Sequence, residues 1–221
     1  MTKFSIIITT FGVLEYLKEC LRSLQNFEDI EILVGIDGCE KTKSAFEGFQ
    51  HSKKCRFFYF PVNSGTYNVK NNLIKEAKGE TILFFDSDDI ALSNLLDRWD
   101  SNYDIIRLKF QDFGDKINKI EVAQGVFFIK KQILNQLIGF QPWKCNADAE
   151  FRMRVEFNNL KVKEDDVISF MRRKHDKNLT TAKNTAMGSK LRKEYENIIN
   201  NKVKTKNWSN PKIEIREYYE L

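Results

Sequence analysis

The sequence predicts an open α/β sheet, mostly parallel, with helices on both faces and a short basic C-terminal extension. Two observations carry this. Four short apolar segments in the first hundred residues run without polar alternation, as strands buried on both faces do. Segments with helical spacing separate them, the order that builds a parallel sheet. A third observation concerns chemistry: two of the four segments end in carboxylates.

The elements follow in order. Residues 4–9 (FSIIIT) are rich in β-branched side chains, and Leu14, Leu17, Leu21 and Leu24 then mark one face of a helix. Residues 31–36 form a second strand and 43–49 a short polar helix. Residues 56–60 (RFFYF) are a third strand, 67–77 a helix that stops near Gly79, 81–85 (TILFF) a fourth strand, and 92–99 a short helix. Beyond Trp99 the pattern loosens. Strands are expected over 103–110, 124–129 and 166–171, a hairpin arm over 116–122, and helices over 148–157 and 187–200.

Length and composition narrow the class. A chain of 221 residues with 42% hydrophobic content and 18 Phe builds its own core. No apolar run approaches the ~18 residues of a membrane span, so the protein reads as soluble and cytoplasmic. The four cysteines form no C-x-x-C pair, which argues against a zinc knuckle or a disulfide framework. Charge is uneven: residues 172–221 carry 13 Lys+Arg and 6 Asp+Glu, so the chain's net +5 comes from this end. A basic tail on a near-neutral body points to an anionic partner or surface, or to a solvated face.

In open α/β sheets ligands collect beyond the carboxyl ends of the strands. There stand Thr9-Thr10-Phe11, then Asp37-Gly38, then Asn63-Ser64-Gly65, and last Asp86-Ser87-Asp88-Asp89. Three acids within four residues repel one another unless hydrated or neutralised. Two readings stay open: a cap for the next helix, or a site for Mg²⁺ or Mn²⁺, which favour carboxylate oxygen and share their shell with phosphates. No G-x-G-x-x-G occurs and no Gly-rich loop follows the first strand, which argues against a dinucleotide oxidoreductase and against a nucleotidyltransferase.

Together these segments resemble a known family. SIIITTFGVLEYLKECLRSL (5–24), EILVGIDG (31–38) and NSGTYNVKNNLIKEAKGETILFFDSDD (63–89) are similar to the metal-dependent GT-A enzymes of glycosyltransferase family 2. The shared pattern is Asn63-x-Gly65, Lys70-Asn71 where the family has Arg-Asn, Lys78-Gly79, and Asp86-Ser87-Asp88-Asp89. The resemblance runs over roughly residues 4–180, leaving 181–221 as an extension. It implies a GT-A catalytic domain that transfers a hexosyl or N-acetylhexosaminyl group from a nucleotide-sugar to a hydroxyl acceptor with inversion, using Mn²⁺ or Mg²⁺.

The resemblance also implies roles. Thr9, Thr10 and Phe11 line the nucleobase pocket, although the family's Pro and Tyr are absent here. Asp37 accepts from the base, a partner for the N3–H of uracil, or is a turn residue before Gly38. Lys70 and Asn71 lie near the diphosphate or base, Asp86 and Ser87 contact the nucleotide-sugar, and Asp88 holds the metal. Asp148 is the base that deprotonates the acceptor, or a first-turn residue of its helix, with Glu150 the fallback; Ala147 stands where the family has Glu. Gly125 opens a strand beside the acceptor. Arg152 and Arg154 hold the acidic helix in place. Around 172–180, His175 is a metal ligand or a surface histidine, and Arg173 and Thr180 contact the diphosphate. A non-enzymatic alternative is a nucleic-acid-binding module on the basic tail, with Trp208, Tyr218 and Tyr219 stacking bases.

Overall fold

The structure is a computed structural model that describes residues 3–47, 54–114, 119–176, 178–180 and 183–221. Strands β1 (Phe4–Thr10), β2 (Ile30–Asp37), β3 (Cys55–Phe60) and β4 (Thr81–Asp86) pair in parallel, in the order β4-β1-β2-β3. Helices α1 (Leu14–Leu24), α2 (Glu40–Phe46) and α3 (Thr66–Glu76) connect them. Successive side chains of one strand enter opposite cores. Ile6 and Ile8 join Leu17, Cys20 and Leu24 of α1, whereas Ile7 joins Val69 and Leu73 of α3. Burial on both faces is why these strands lack polar alternation.

The second half extends the sheet with mixed polarity. β7 (Ile120–Lys130) lies antiparallel to β4, and β6 (Ile105–Gly114) antiparallel to β7. β8 (Val162–Lys174) then runs parallel to β6, and the two-residue β5 (Ile90–Ala91) closes that edge. Helices α4 (Lys131–Leu137) and α5 (Ala147–Phe157) cover β7, packing Leu134, Phe151 and Val155 into the α3-side core.

Several sequence expectations need correcting. The helix expected over 92–99 is a single 3₁₀ turn, Leu96–Arg98. The chain there is tied to β8, with Leu92 N–H donating to Ser169 O (3.0 Å) and Asn94 Nδ2 to Ile168 O (3.1 Å), which leaves too few residues for a full helix. The last helix, α6, spans Lys190–Thr205 rather than 187–200, because Gly188 takes a left-handed φ of 81° and Ser189 caps the helix through Arg192 N–H. The strand expected over 166–171 is longer, and α4, β5 and β9 (Tyr219–Glu220) were not anticipated. Parts of the expected 43–49 helix and 116–122 hairpin arm lie outside the described residues.

The basic extension returns to the sheet. Asn72 of α3 donates to Glu214 O (3.2 Å) and accepts from Arg216 N–H (3.4 Å). Tyr218 stacks on Phe60 at 4.9 Å and donates to Glu76, and β9 pairs with β3, covering an edge strand that would otherwise be open.

The Lys78-Gly79 turn explains one motif on packing grounds. Gly79 N–H donates to Ser5 Oγ (2.8 Å), and Glu31 accepts from Ser5 Oγ (2.6 Å) and from both turn amides. A Cβ on Gly79 would lie 2.7 Å from Ser5 N and 2.8 Å from Phe4 C, both backbone atoms. Gly79→Ala is therefore expected to destabilise the protein by about 1–3 kcal/mol, read as a lower midpoint in thermal or urea unfolding.

Candidate active site

The site is assembled at the carboxyl ends of β1, β2 and β4, where strand order reverses between β4 and β1. Asp37 ends β2 and is buried. Its Oδ1 accepts from Ser64 N–H (2.7 Å) and its Oδ2 from Gly65 N–H (2.8 Å), so it shapes the turn that opens α3. Oδ1 also accepts from Ser64 Oγ (3.4 Å), so Oδ2 is the oxygen that retains a second acceptor position. Burial raises the Asp37 pKa against the pull of those amides. The turn requires glycine at position 38 (φ 74°), since a Cβ there would meet Asn63 N at 2.6 Å. Thr9 bonds Thr66, Phe11 is 59% exposed, and the buried Thr10 Oγ1 has no hydrogen-bond partner among the described residues.

Beyond β4 the three acids have three environments. Asp86 faces the cleft, with the buried Lys70 ammonium 3.8 Å from its Oδ1; Lys70 in turn lies over the Tyr67 and Phe84 rings. Desolvation raises the Asp86 pKa, Lys70 opposes this, and Asp88 and Asp148 add to it. Ser87 is buried beside them. Asp88 Oδ2 lies 2.8 Å from His175 Nε2 and accepts from Asn178 Nδ2 at 2.9 Å. Asp89 is 1% exposed; its Oδ1 accepts from Arg173 N–H (3.0 Å), and its Oδ2 is without a hydrogen-bond partner among the described residues. Burial first, then Asp88 and Asp86, drive its pKa well up.

No group of three metal-binding side chains closes on one point among the described residues. Asp88 and His175 do converge, one carboxylate and one imidazole within a hydrogen bond of each other. That pair fits a divalent ion whose remaining ligands are substrate oxygens and water. Tyr16 packs on the His175 ring (4.8 Å between centroids).

On the opposite wall, Asp148 occupies the first turn of α5. It lies beside the buried Tyr67 phenol, whose pKa desolvation and Asp148 together raise. Gly125 of β7 is its neighbour: a Cβ there would sit 3.9 Å from Asp148 Oδ2, an ordinary contact, so space alone does not require the glycine. Tyr67 in turn lies 5.8 Å from the Lys70 ammonium that partners Asp86, which links Asp148 to the acids at the end of β4.

Asp37, Lys70, Asp86, Asp88, His175 and Asp148 thus share one strand-end region. Two sequence candidates do other work, and a third stands at the surface. Asn71 is 1% exposed, and its carboxamide forms a two-way clamp on Phe140, accepting from its N–H and donating to its C=O, both at 2.8 Å. The Arg173 guanidinium is engaged by Asp88 O and Glu19, between the rings of Tyr16 and Phe113, rather than facing a diphosphate. Thr180 is exposed, with its carbonyl accepting from Met187 N–H. Glu150 is fully buried against Arg154 (3.0 Å) and Lys202 (2.7 Å), which removes it as a fallback base. Arg154 also donates to Leu137 O and Gly139 O, holding α5 in place. Sequence reasoning missed Asn178, Tyr67, Tyr16 and Glu19. For Asn178 a signal existed, an amide three residues after His175.

Carboxylates and a cation grouped at the switch point of this sheet define a GT-A fold. The chain belongs to glycosyl transferase family 2, whose model matches residues 5–179. It is 35% identical over 101 residues to the GalNAc(5)-diNAcBac-PP-undecaprenol beta-1,3-glucosyltransferase of Campylobacter jejuni, covering 43% of this chain and 33% of that one. It is 29% identical over 163 residues to glycosyltransferase GlyG of Streptococcus pneumoniae, covering 66% and 52%. The chain therefore spans about a third to a half of these curated relatives. Its fold is similar to residues 1–349 of TarS from S. aureus in complex with UDP-GlcNAc, with a TM-score of 0.68 at 21% identity, covering 80% of this chain and 60% of that one. It is also similar to the mannosyltransferase PcManGT of Pyrobaculum calidifontis in complex with GDP-Man and Mn²⁺, with a TM-score of 0.62 at 13% identity, covering 77% and 56%.

The clamp role of Asn71 is checkable. Asn71→Ala leaves two buried backbone groups of Phe140 unpaired and is expected to cost about 2–4 kcal/mol of stability. In calorimetry the melting midpoint falls, while the affinity of the folded protein for UDP stays near that of the parent.

Proposed function

We propose that this chain is the catalytic unit of a metal-dependent, inverting glycosyltransferase that moves a hexosyl or N-acetylhexosaminyl group from a UDP-sugar to a hydroxyl acceptor. The observation that carries this is the Asp88–His175 pair at the strand ends, with Asp148 beside Tyr67 and Tyr67 beneath Lys70, the partner of Asp86. Membership of the family and the UDP-GlcNAc held by TarS support the donor class.

Each residue then has a task. Asp37 and the Asn63–Gly65 turn receive the uracil ring, with Thr10 and Phe11 beside it. Ser87 and Asp86 take the ribose and sugar side, and Lys70, held close to Asp86, offsets diphosphate charge. Asp88 and His175 hold Mn²⁺ or Mg²⁺, which would neutralise the charge that grows on the departing diphosphate. Asp148 takes the proton of the acceptor hydroxyl as its oxygen bonds to the anomeric carbon. The bond from that carbon to the diphosphate oxygen breaks on the opposite face, so configuration inverts. General-base assistance of this kind contributes about 10²–10⁴-fold.

Of the aromatics that the nucleic-acid alternative needs, Tyr218 is taken up by Phe60 and Glu76, while Tyr219 packs edge-on against Tyr59 and Trp208 against Phe157, so they form no single stacking platform. The basic face of the extension suits an anionic acceptor or surface. Among the described residues no helix is long and apolar enough to cross a membrane.

Two substitutions separate the roles. Asp88→Ala should abolish turnover of UDP-glucose and UDP-N-acetylglucosamine and weaken UDP binding measured with Mn²⁺. Asp148→Asn should lower turnover by about 10²-fold or more with UDP binding unchanged. Removing the metal with a chelator should reproduce the binding loss of Asp88→Ala. Equal UDP affinity with and without chelator would sink the metal assignment.

A further inference from the structure

Helix α6 lies beyond the family match at residues 5–179, and no step above uses it. Three contacts nevertheless fasten it to the short segment that delivers Asp148. Trp143 lies flat on Tyr195, with centroids 4.5 Å apart and planes within 2°. Arg192 Nη1 donates to Asn146 Oδ1 at 3.3 Å. Lys202 Nζ reaches Glu150 Oε1 at 2.7 Å, within the first turn of α5.

These contacts converge on an unusual joint. Asn146 immediately precedes α5 and adopts φ 65°, a left-handed conformation that most side chains avoid. An asparagine before a helix ordinarily turns its oxygen onto the helix amides. Here it makes no such cap, because the oxygen receives Arg192 instead. Arg192 is itself buried, and its Nε and Nη2 both donate to Thr185 O, at 3.1 and 3.0 Å. Its guanidinium is therefore fixed on one side and fixes Asn146 on the other.

We propose that Arg192 is a positioning residue for catalysis: by holding Asn146 in its left-handed conformation, with Tyr195 and Lys202 bracing the flanks, α6 sets Asp148 against the cleft. The inference rests on Asp148 being the base. Its physical basis is leverage. Rotation at the residue before a helix swings the first turn, and a reacting group misplaced by about 1 Å loses about 10²-fold in rate.

The test uses the full chain, Mn²⁺, and slow hydrolysis of UDP-glucose or UDP-N-acetylglucosamine, with UDP binding measured in parallel. Arg192→Ala should lower kcat by about 10- to 100-fold with donor KM and UDP affinity unchanged. Asn146→Gly covers the case in which Arg192→Ala does not fold. Glycine accepts the left-handed backbone without strain but gives Arg192 nothing to hold, so kcat should fall while the melting midpoint stays close to the parent's. The double variant should be no slower than the worse single one, since both remove the same constraint. Parent-like turnover by Arg192→Ala and Asn146→Gly, with Asp148→Asn inactive, overturns the positioning role and leaves the base standing. Additive losses, or a rise in KM with kcat intact, overturn it as well. Parent-like turnover by Asp148→Asn removes the base assignment, and this inference goes with it.

Discussion

Three carboxylates beyond β4 can coexist because the end of β8 folds over them. Like charges so close are stable only when each has a different environment. Arg173 donates its backbone N–H to Asp89 and its guanidinium to the carbonyl of Asp88, while His175 and Asn178 take the Asp88 carboxylate. Asp86 is left to Lys70 and the cleft. Asp89 is buried where its charge is disfavoured, so it acts as an anchor for β8. One strand end thereby gives three repelling acids three environments: a buried anchor, an acid bonded to His175 and Asn178, and an acid beside Lys70.

That arrangement makes the two halves of the chain interdependent. β4 belongs to the parallel half and β8 to the mixed half, and they do not pair in the sheet. They meet at the site and beneath it, where Phe85 packs edge-on against Phe170. The Glu19–Arg173 pair extends the linkage to α1, with Tyr16 packing against both Arg173 and His175. On the far wall, Asn71 clamps Phe140 and the buried Glu150–Arg154–Lys202 group fixes α5. Buried ion pairs of this kind add little net stability, but breaking one leaves an uncompensated charge. They suit a role in holding geometry.

The extension illustrates how charge composition misleads about contact. Its excess of Lys and Arg pointed outward, to a partner. In the fold, Arg192 and Lys202 point inward to Asn146 and Glu150, and Tyr218 supplies an apolar face to Phe60.

Local pattern sufficed for the parallel half. Residues 4–9, 31–36, 56–60 and 81–85 read as doubly buried strands because both faces of each are in fact covered, and the acids at their ends were visible for the same reason. It failed where long-range pairing governs. Residues 92–99 carry helical spacing, yet hydrogen bonds to Ser169 and Ile168 hold them to β8. The same distinction divides the site residues. Asp37, Asp86, Asp88 and Asp148 sit at element ends that sequence alone locates. Asn71 and Arg173 carry the right chemistry for a ligand but are consumed by Phe140 and Glu19, partners 69 and 154 residues away. Composition and periodicity determined that this chain is an α/β sheet with an acidic edge. Which polar groups face the cleft, and which are locked inside the fold, was decided only by the tertiary structure, because a side chain's availability depends on neighbours that chain order does not reveal.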